Sequence, residues 1–450
     1  MASAVEQLAK NANWGALSKA TELKKRIMFV IGALLVYRLG TYIPIPGIDP
    51  TVWNEIFESK GGGILDMFNM FSGGALSRMT IFALNIMPYI SASIIMQLAT
   101  AMSKKLEELK KEGEVGRMKI NQYTRYLTVI LATVQAYGLA IGLESMTGQG
   151  GASAVINPGL FFRVSTVITI VGGTIFLMWL GEQITSRGVG NGISLIIFAG
   201  IVAGLPRAVA SVLELTRQGT FSGLELLMLV VMVIAVIALI VFVERAQRRV
   251  IVQYPKRQVG NQVSQGQTNH IPLKLNTAGV IPPIFASSLL LLPLTVLGFA
   301  GAGSSDFWSD LTRYLQHGQP IYMALYGLLI VFFCFFYTAI VFNPEENAET
   351  LRKYGGFVPG IRPGKNTADY LDYVLTRVSV VGAIYLVFIC LLPEFMISKY
   401  NMPFYFGGTS LLIVVSVTMD TVAQIHSHLI AHQYDGLVKK TKLRGRSRRR

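Results

Sequence analysis

The chain holds five histidines, two cysteines and 25 acidic residues, the side chains from which catalytic or metal-binding chemistry is usually built. His428 and His432 stand four apart, a spacing by which a helix can present two imidazoles to one metal ion, with His426 just before them. They read better as the polar end of the last apolar run, and no metal is expected. Cys334 and Cys390 lie inside apolar runs, where a free thiol behaves as a small hydrophobe. No Walker loop, zinc-protease helix or nucleophile elbow is present. Gly188-x-Gly190-x-Gly192 falls in a turn between apolar runs, where it serves close helix approach better than phosphate binding. Neither a cofactor nor an enzymatic activity is expected.

A coupled transporter places Asp, Glu or His near the membrane midplane, and here Glu225 and Asp420 lie towards the ends of their apolar runs. The centres carry isoleucine instead: Ile86 and Ile90, four apart around Pro88, and Ile197, Ile284 and Ile413 near the middles of other runs. Two readings are open. Such residues fill any membrane core, but a ring of them around a cavity would be an apolar constriction that stops ions by dewetting and yields to a bulky apolar chain. A small-solute transporter would need a binding site in place of that ring, and a docking scaffold would need no gate.

These residues must be positioned by a chain of 450 residues that is 52% apolar and 14% charged, a composition that belongs in a membrane. Apolar windows near twenty residues long centre on Ile31, Ile90, Ile130, Ile170, Phe198, Val233, Leu289, Ile330, Tyr385 and Val414. Lys24-Lys25-Arg26 precede the first of them without a small-residue cleavage site after it, so that span is expected to stay. The expected fold is an all-α integral membrane protein of ten transmembrane helices in two inverted halves, 1–217 and 218–450. Each half has one Gly/Pro-interrupted span, the second carrying Pro88 and the seventh Pro282, Pro283 and Pro293. Before the second span, the glycine-bracketed segment 61–74 has an apolar stretch of only about eight residues, too short to cross a bilayer. It is expected to be a short re-entrant plug helix beside a cavity.

With both termini placed in the cytoplasm, all but eight of the 40 Lys and Arg fall on that side. The long loops 244–276 and 343–373 and the tail 436–450 contribute much of this charge, which suits anionic lipid and an anionic docking partner. In the first of these loops Val250-Ile251-Val252-Gln253-Tyr254 predicts a strand, half of a hairpin; in the second, Pro359-Gly360 and Pro363-Gly364 hold Arg362 at a tip.

The run TIFALNIMPYISASIIMQ at Thr80 and the run WLGEQITSRGVGNGISLII at Trp179 resemble the two signature segments of the SecY family of protein-conducting channels. The similarity continues through RLGTYIPIPGID at Arg38, MFNMFSGGALSR at Met67, AGVIPPIFASS at Ala278, FVPGIRPG at Phe357 and PFYFGGTSLLIVV at Pro403. The resemblance implies a clamshell in the bacterial inner membrane that moves unfolded secretory polypeptides across and releases apolar segments sideways into lipid. On matching positions Ile86, Ile90, Ile197, Ile284 and Ile413 would form the pore ring. Ile64, Leu65, Met67, Phe68, Met70, Phe71, Gly73 and Gly74 would belong to the plug, and Gln97, Gln135 and Asn276 to a lateral gate. Arg245, Arg248, Arg249, Lys256, Arg257 and Arg362 would dock a SecA motor or a ribosome through its RNA, and SecE-like and SecG-like membrane subunits, signal peptides, nascent chains and lipids complete the implied partners. Asn85 stands where the family signature usually has glycine, and Asn261-Gln262 where some relatives have a basic pair.

Overall fold

A computed structural model describes residues 21–60, 69, 72–145, 153–219, 222–255, 257–259, 262–264, 268–299, 319–400 and 408–447. The centres of all ten apolar windows fall in helices. In chain order these are α1 (Thr21–Gly40), α3 (Met87–Met102), α5 (Glu114–Ser145), α6 (Leu160–Arg187), α7 (Gly192–Arg217), α8 (Gly223–Arg245), α9 (Ile281–Phe299), α10 (Pro320–Val341), α12 (Lys365–Tyr400) and α13 (Gly408–Ser447). Three shorter helices, α2 (Pro50–Lys60), α4 (Lys104–Lys111) and α11 (Pro344–Lys353), lie between them. Among the described residues, seven helical stretches are long and apolar enough to cross a membrane, from α5, α6, α7, α8, α10, α12 and α13. Helix α1 carries Lys24, Lys25, Arg26 and Arg38 near its ends.

Helix α3 corrects the expectation of a Pro-bent second span. Residues 81–86 form turns, and Pro88 sits in the first turn of a 16-residue helix, where its missing N–H breaks no helical hydrogen bond. Pro282 and Pro283 occupy the same position in α9. The expected hairpin is present: β1 (Gln247–Gln253) pairs antiparallel with β4 (Thr268–Lys274) in a register that sets Val250 opposite Ile271. A smaller pair, β2 (Arg257–Val259) and β3 (Gln262–Ser264), lies between them in sequence. Helix starts obey local rules. Ser222 and Glu225 form a capping box on α8, which accounts for the one acidic residue at the start of that span, and Asn343 caps α11.

The chain divides into two compact units. One comprises Met1–Tyr89, Arg125–Leu205 and Val417–Arg450, the other Ile90–Thr124 and Pro206–Ser416. In the first unit the turn between α6 and α7 is pinned by close backbone approach: a Cβ on Gly192 would collide with the carbonyl of Gly181. The Gly190 N–H donates to Gln424 of α13 at 2.8 Å, and Val189 packs with Leu23 and Leu429. In the second unit, Val250, Val252 and Leu273 of the hairpin bury against Val358, Leu371 and Leu375. Paired backbone bonds of 2.9 Å between Gln253 and Phe357 join the two long loops directly.

Candidate functional site

The five isoleucines come from five places: Ile86 from the turn before α3, Ile90 from α3, Ile197 from α7, Ile284 from α9 and Ile413 from α13. All are buried, from 0% exposure at Ile413 to 8% at Ile284. Ile86 and Ile90 do not share a helical face, because α3 begins between them. Asn85, just before Ile86, has φ of 49° and is buried. That left-handed conformation suits glycine and, next to glycine, asparagine, whose short polar side chain bonds locally. The departure from the family signature therefore preserves the backbone that the glycine would adopt.

The residues expected to form a plug, Ile64, Leu65, Met67, Phe68, Met70 and Phe71, lie outside the described residues. The segment that follows them is held firmly. Arg38 Nη1 donates to the Gly73 carbonyl at 2.6 Å, the Tyr37 hydroxyl to the Ser72 carbonyl at 3.3 Å, and Trp53 Nε1 to the Leu76 carbonyl at 3.0 Å. Gly73 and Gly74 have φ of 65° and 83°, and a Cβ on Gly73 would lie 3.0 Å from the Cα of Gly200. Arg38 thus divides its guanidinium between this segment and Tyr42, whose hydroxyl accepts from its Nη2 at 3.4 Å, and Arg78 lies over the Tyr42 ring at 4.0 Å. The two guanidinium groups, Arg38 first, hold the Tyr42 phenol below its usual range by favouring the phenolate. Tyr37 and Trp53 were invisible as anchors in the sequence; the one available signal was a Trp in the short segment of α2 that precedes the glycines.

Of the gate candidates, Gln97 donates to Ser93 on its own helix at 3.2 Å, and Gln135 is buried in α5. Asn276, 3% exposed, donates from Nδ2 to Glu244 Oε1 at 2.7 Å and to the Gly279 carbonyl at 3.0 Å. Glu244 did not stand out as a site residue in the sequence, where it closes an apolar run next to Arg245.

The basic candidates gather on the joined loops. Arg245, Arg248 and Arg249 are exposed at the end of α8 and the start of β1, and Arg362 is exposed at the tip expected for it. Arg257 opens β2, while Lys256 lies outside the described residues. Strand alternation explains the arrangement, because Val250 and Val252 turn inwards and leave Arg249 and Ile251 outside. Among the described residues no group of three or more His, Cys, Asp or Glu could hold a metal ion. Cys334 and Cys390 are both buried.

Helices of this length and apolarity, with a polar hairpin between them, define a multi-pass membrane protein. The solved structures that it resembles include channels. One described as the structure of a protein conducting channel covers 90% of this chain and 92% of its own, with a TM-score of 0.65 at 19% identity. Sec61 in the canine ribosome-channel complex from the endoplasmic reticulum aligns with a TM-score of 0.59 at 20% identity, over 90% of this chain and 92% of its own. The likeness at these identities is one of fold. In sequence, the SecY family model matches residues 80–422. The protein translocase subunit SecY of Escherichia coli (strain K12) is 58% identical over 428 residues, 95% of this chain and 96% of that one. That of Vibrio cholerae serotype O1 is 56% identical over 437 residues, 96% and 98% of the two chains. The chain belongs to the SecY family.

Proposed function

We propose that this protein is the channel-forming subunit of a bacterial protein translocase, carrying unfolded polypeptides across the inner membrane and releasing apolar segments laterally. The observation that carries this reading is identity of 58% with a protein translocase subunit over nearly the whole of both chains. The mechanism is a conformational gate with no chemical step in this chain. Ile86, Ile90, Ile197, Ile284 and Ile413 form the constriction, segment 61–74 is the plug, and Gln97, Gln135 and Asn276 line the lateral gate. The halves 1–217 and 218–450 open like a clamshell, and both termini are cytoplasmic.

The joined loops, with Arg245, Arg248, Arg249, Lys256, Arg257 and Arg362, dock a SecA-like motor or a ribosome. Exposure of Arg245, Arg248, Arg249 and Arg362 supports that assignment, as does the ribosome-bound state of a structural neighbour. SecE-like and SecG-like subunits complete the membrane assembly.

The test is site-specific crosslinking from a photoreactive side chain at Ile86 to a stalled secretory polypeptide in membranes. A crosslink that requires a translocating chain is expected. Its absence, with chains demonstrably engaged, would return the isoleucines to ordinary core packing.

A further inference from the structure

Glu244 stands in the last turn of α8, whose other residues from Leu226 to Val243 are apolar. A carboxylate is disfavoured there on two counts: the helix C-terminus carries partial negative charge, and an apolar helix offers little solvation. A residue that breaks local rules in this way points to a task that lies elsewhere. The structure supplies the task. Glu244 Oε1 receives the Asn276 amide at 2.7 Å, a charge-assisted bond across 32 residues of sequence.

The neighbourhood of Asn276 is built to a fixed geometry. The Leu275 N–H donates to the Ala246 carbonyl at 3.0 Å, tying the chain that opens α9 to the chain that closes α8. Gly279, whose carbonyl takes the second Asn276 bond, has φ of 64°. On the other side, a Cβ on Gly382 of α12 would lie 2.6 Å from the Leu275 carbonyl, so only glycine permits the approach. Tyr385, three residues further on the same face of α12, is buried within electrostatic range of Glu244. Its hydroxyl and Asn276 Oδ1 have no hydrogen-bond partner among the described residues. Two polar groups are thus left unsatisfied beside one strong bond, and the arrangement is poised to exchange partners if that bond is released.

We propose that Glu244 is a positioning residue of the lateral gate, its carboxylate holding Asn276 in place at the opening of α9 so that the gate opens only when an incoming apolar segment outweighs that bond. The inference rests on the assignment of Asn276 to the gate. A bond favouring one conformation shifts the closed-to-open equilibrium by its own free energy and by nothing else. Removing it therefore lowers the threshold of apolarity at which a segment is accepted, without touching the path of the chain.

The test compares transport of a precursor with its full signal segment and of the same precursor with the segment made less apolar. It uses membrane vesicles carrying the full chain, normalised to the amount inserted. For Glu244→Ala the relative transport of the weakened precursor should rise roughly tenfold, as expected for loss of one hydrogen bond to a charged group. Glu244→Gln, which keeps an acceptor oxygen, should stay near the parent ratio, and Glu244→Ala with Asn276→Ala should go no further than either alone. An unchanged ratio in Glu244→Ala while Asn276→Ala alters it would overturn the inference and leave the gate assignment standing. An unchanged ratio in both would remove both. Equal effects of Ala and Gln at position 244, additive effects in the double variant, or a fall in total transport at constant ratio would each overturn the role proposed for the hydrogen bond.

Discussion

At Asn85 the backbone conformation is the first thing the position demands. With φ of 49°, a residue other than glycine or asparagine would sit in the left-handed region at a cost of about 1–2 kcal/mol. Asn85→Gly should leave the thermal unfolding of the detergent-solubilised protein nearly unchanged, whereas Asn85→Val should lower it measurably. Equal behaviour of the two variants would show that the side chain is what counts. Arg362 is the opposite case. It is exposed on a turn that Pro359, Gly360, Pro363 and Gly364 shape, so reversing its charge should leave the fold intact. Arg362→Glu is expected to insert normally and to slow partner-driven translocation severalfold, as loss of a docking contact of about 1–2 kcal/mol implies. Normal translocation by that variant would take Arg362 off the docking surface.

Among the elements, the β1–β4 hairpin and the loop around Phe357 are one packed piece, because Val250, Val252 and Leu273 share a core with Val358, Leu371 and Leu375. Leu371 is 0% exposed, and Leu371→Ala should cost about 2–5 kcal/mol of local stability. Limited proteolysis reads this directly: cleavage within 247–274 and 354–364 should accelerate together, with the transmembrane helices still protected. Acceleration in one loop alone would mean that the loops are stabilised separately. The strand was visible in the sequence as Val250-Ile251-Val252, since a period of two survives in a short β-branched run. Its joining to Phe357 was not visible, because a backbone bridge leaves no side-chain signature.

For the whole molecule, net charge of +15 matters through its distribution, since exposed basic groups collected on one surface attract an anionic partner and are screened by salt. If the partner is ribosomal RNA, affinity for the isolated ribosome should fall by about an order of magnitude or more between roughly 50 and 200 mM salt. A salt-independent affinity would instead assign docking to apolar contacts. Arg38, Tyr37 and Trp53 fasten the backbone from Ser72 to Leu76, which would give the proposed plug a fixed end on its C-terminal side.

The sequence by itself determined the solvent of this protein, the positions of its apolar helices and the hairpin, because apolar length and alternation are properties of consecutive residues. It also carried the family, through long motifs in order. Only the tertiary structure decided that α3 begins at Met87 with Pro88 in its first turn, where a local reading of the apolar run starts the span several residues earlier. It likewise supplied the clasp of Arg38 on Gly73 and the bond between Glu244 and Asn276. Those contacts join residues 35 and 32 positions apart through single polar atoms, and no periodicity in a chain records which distant carbonyl or amide a side chain will meet once the helices pack.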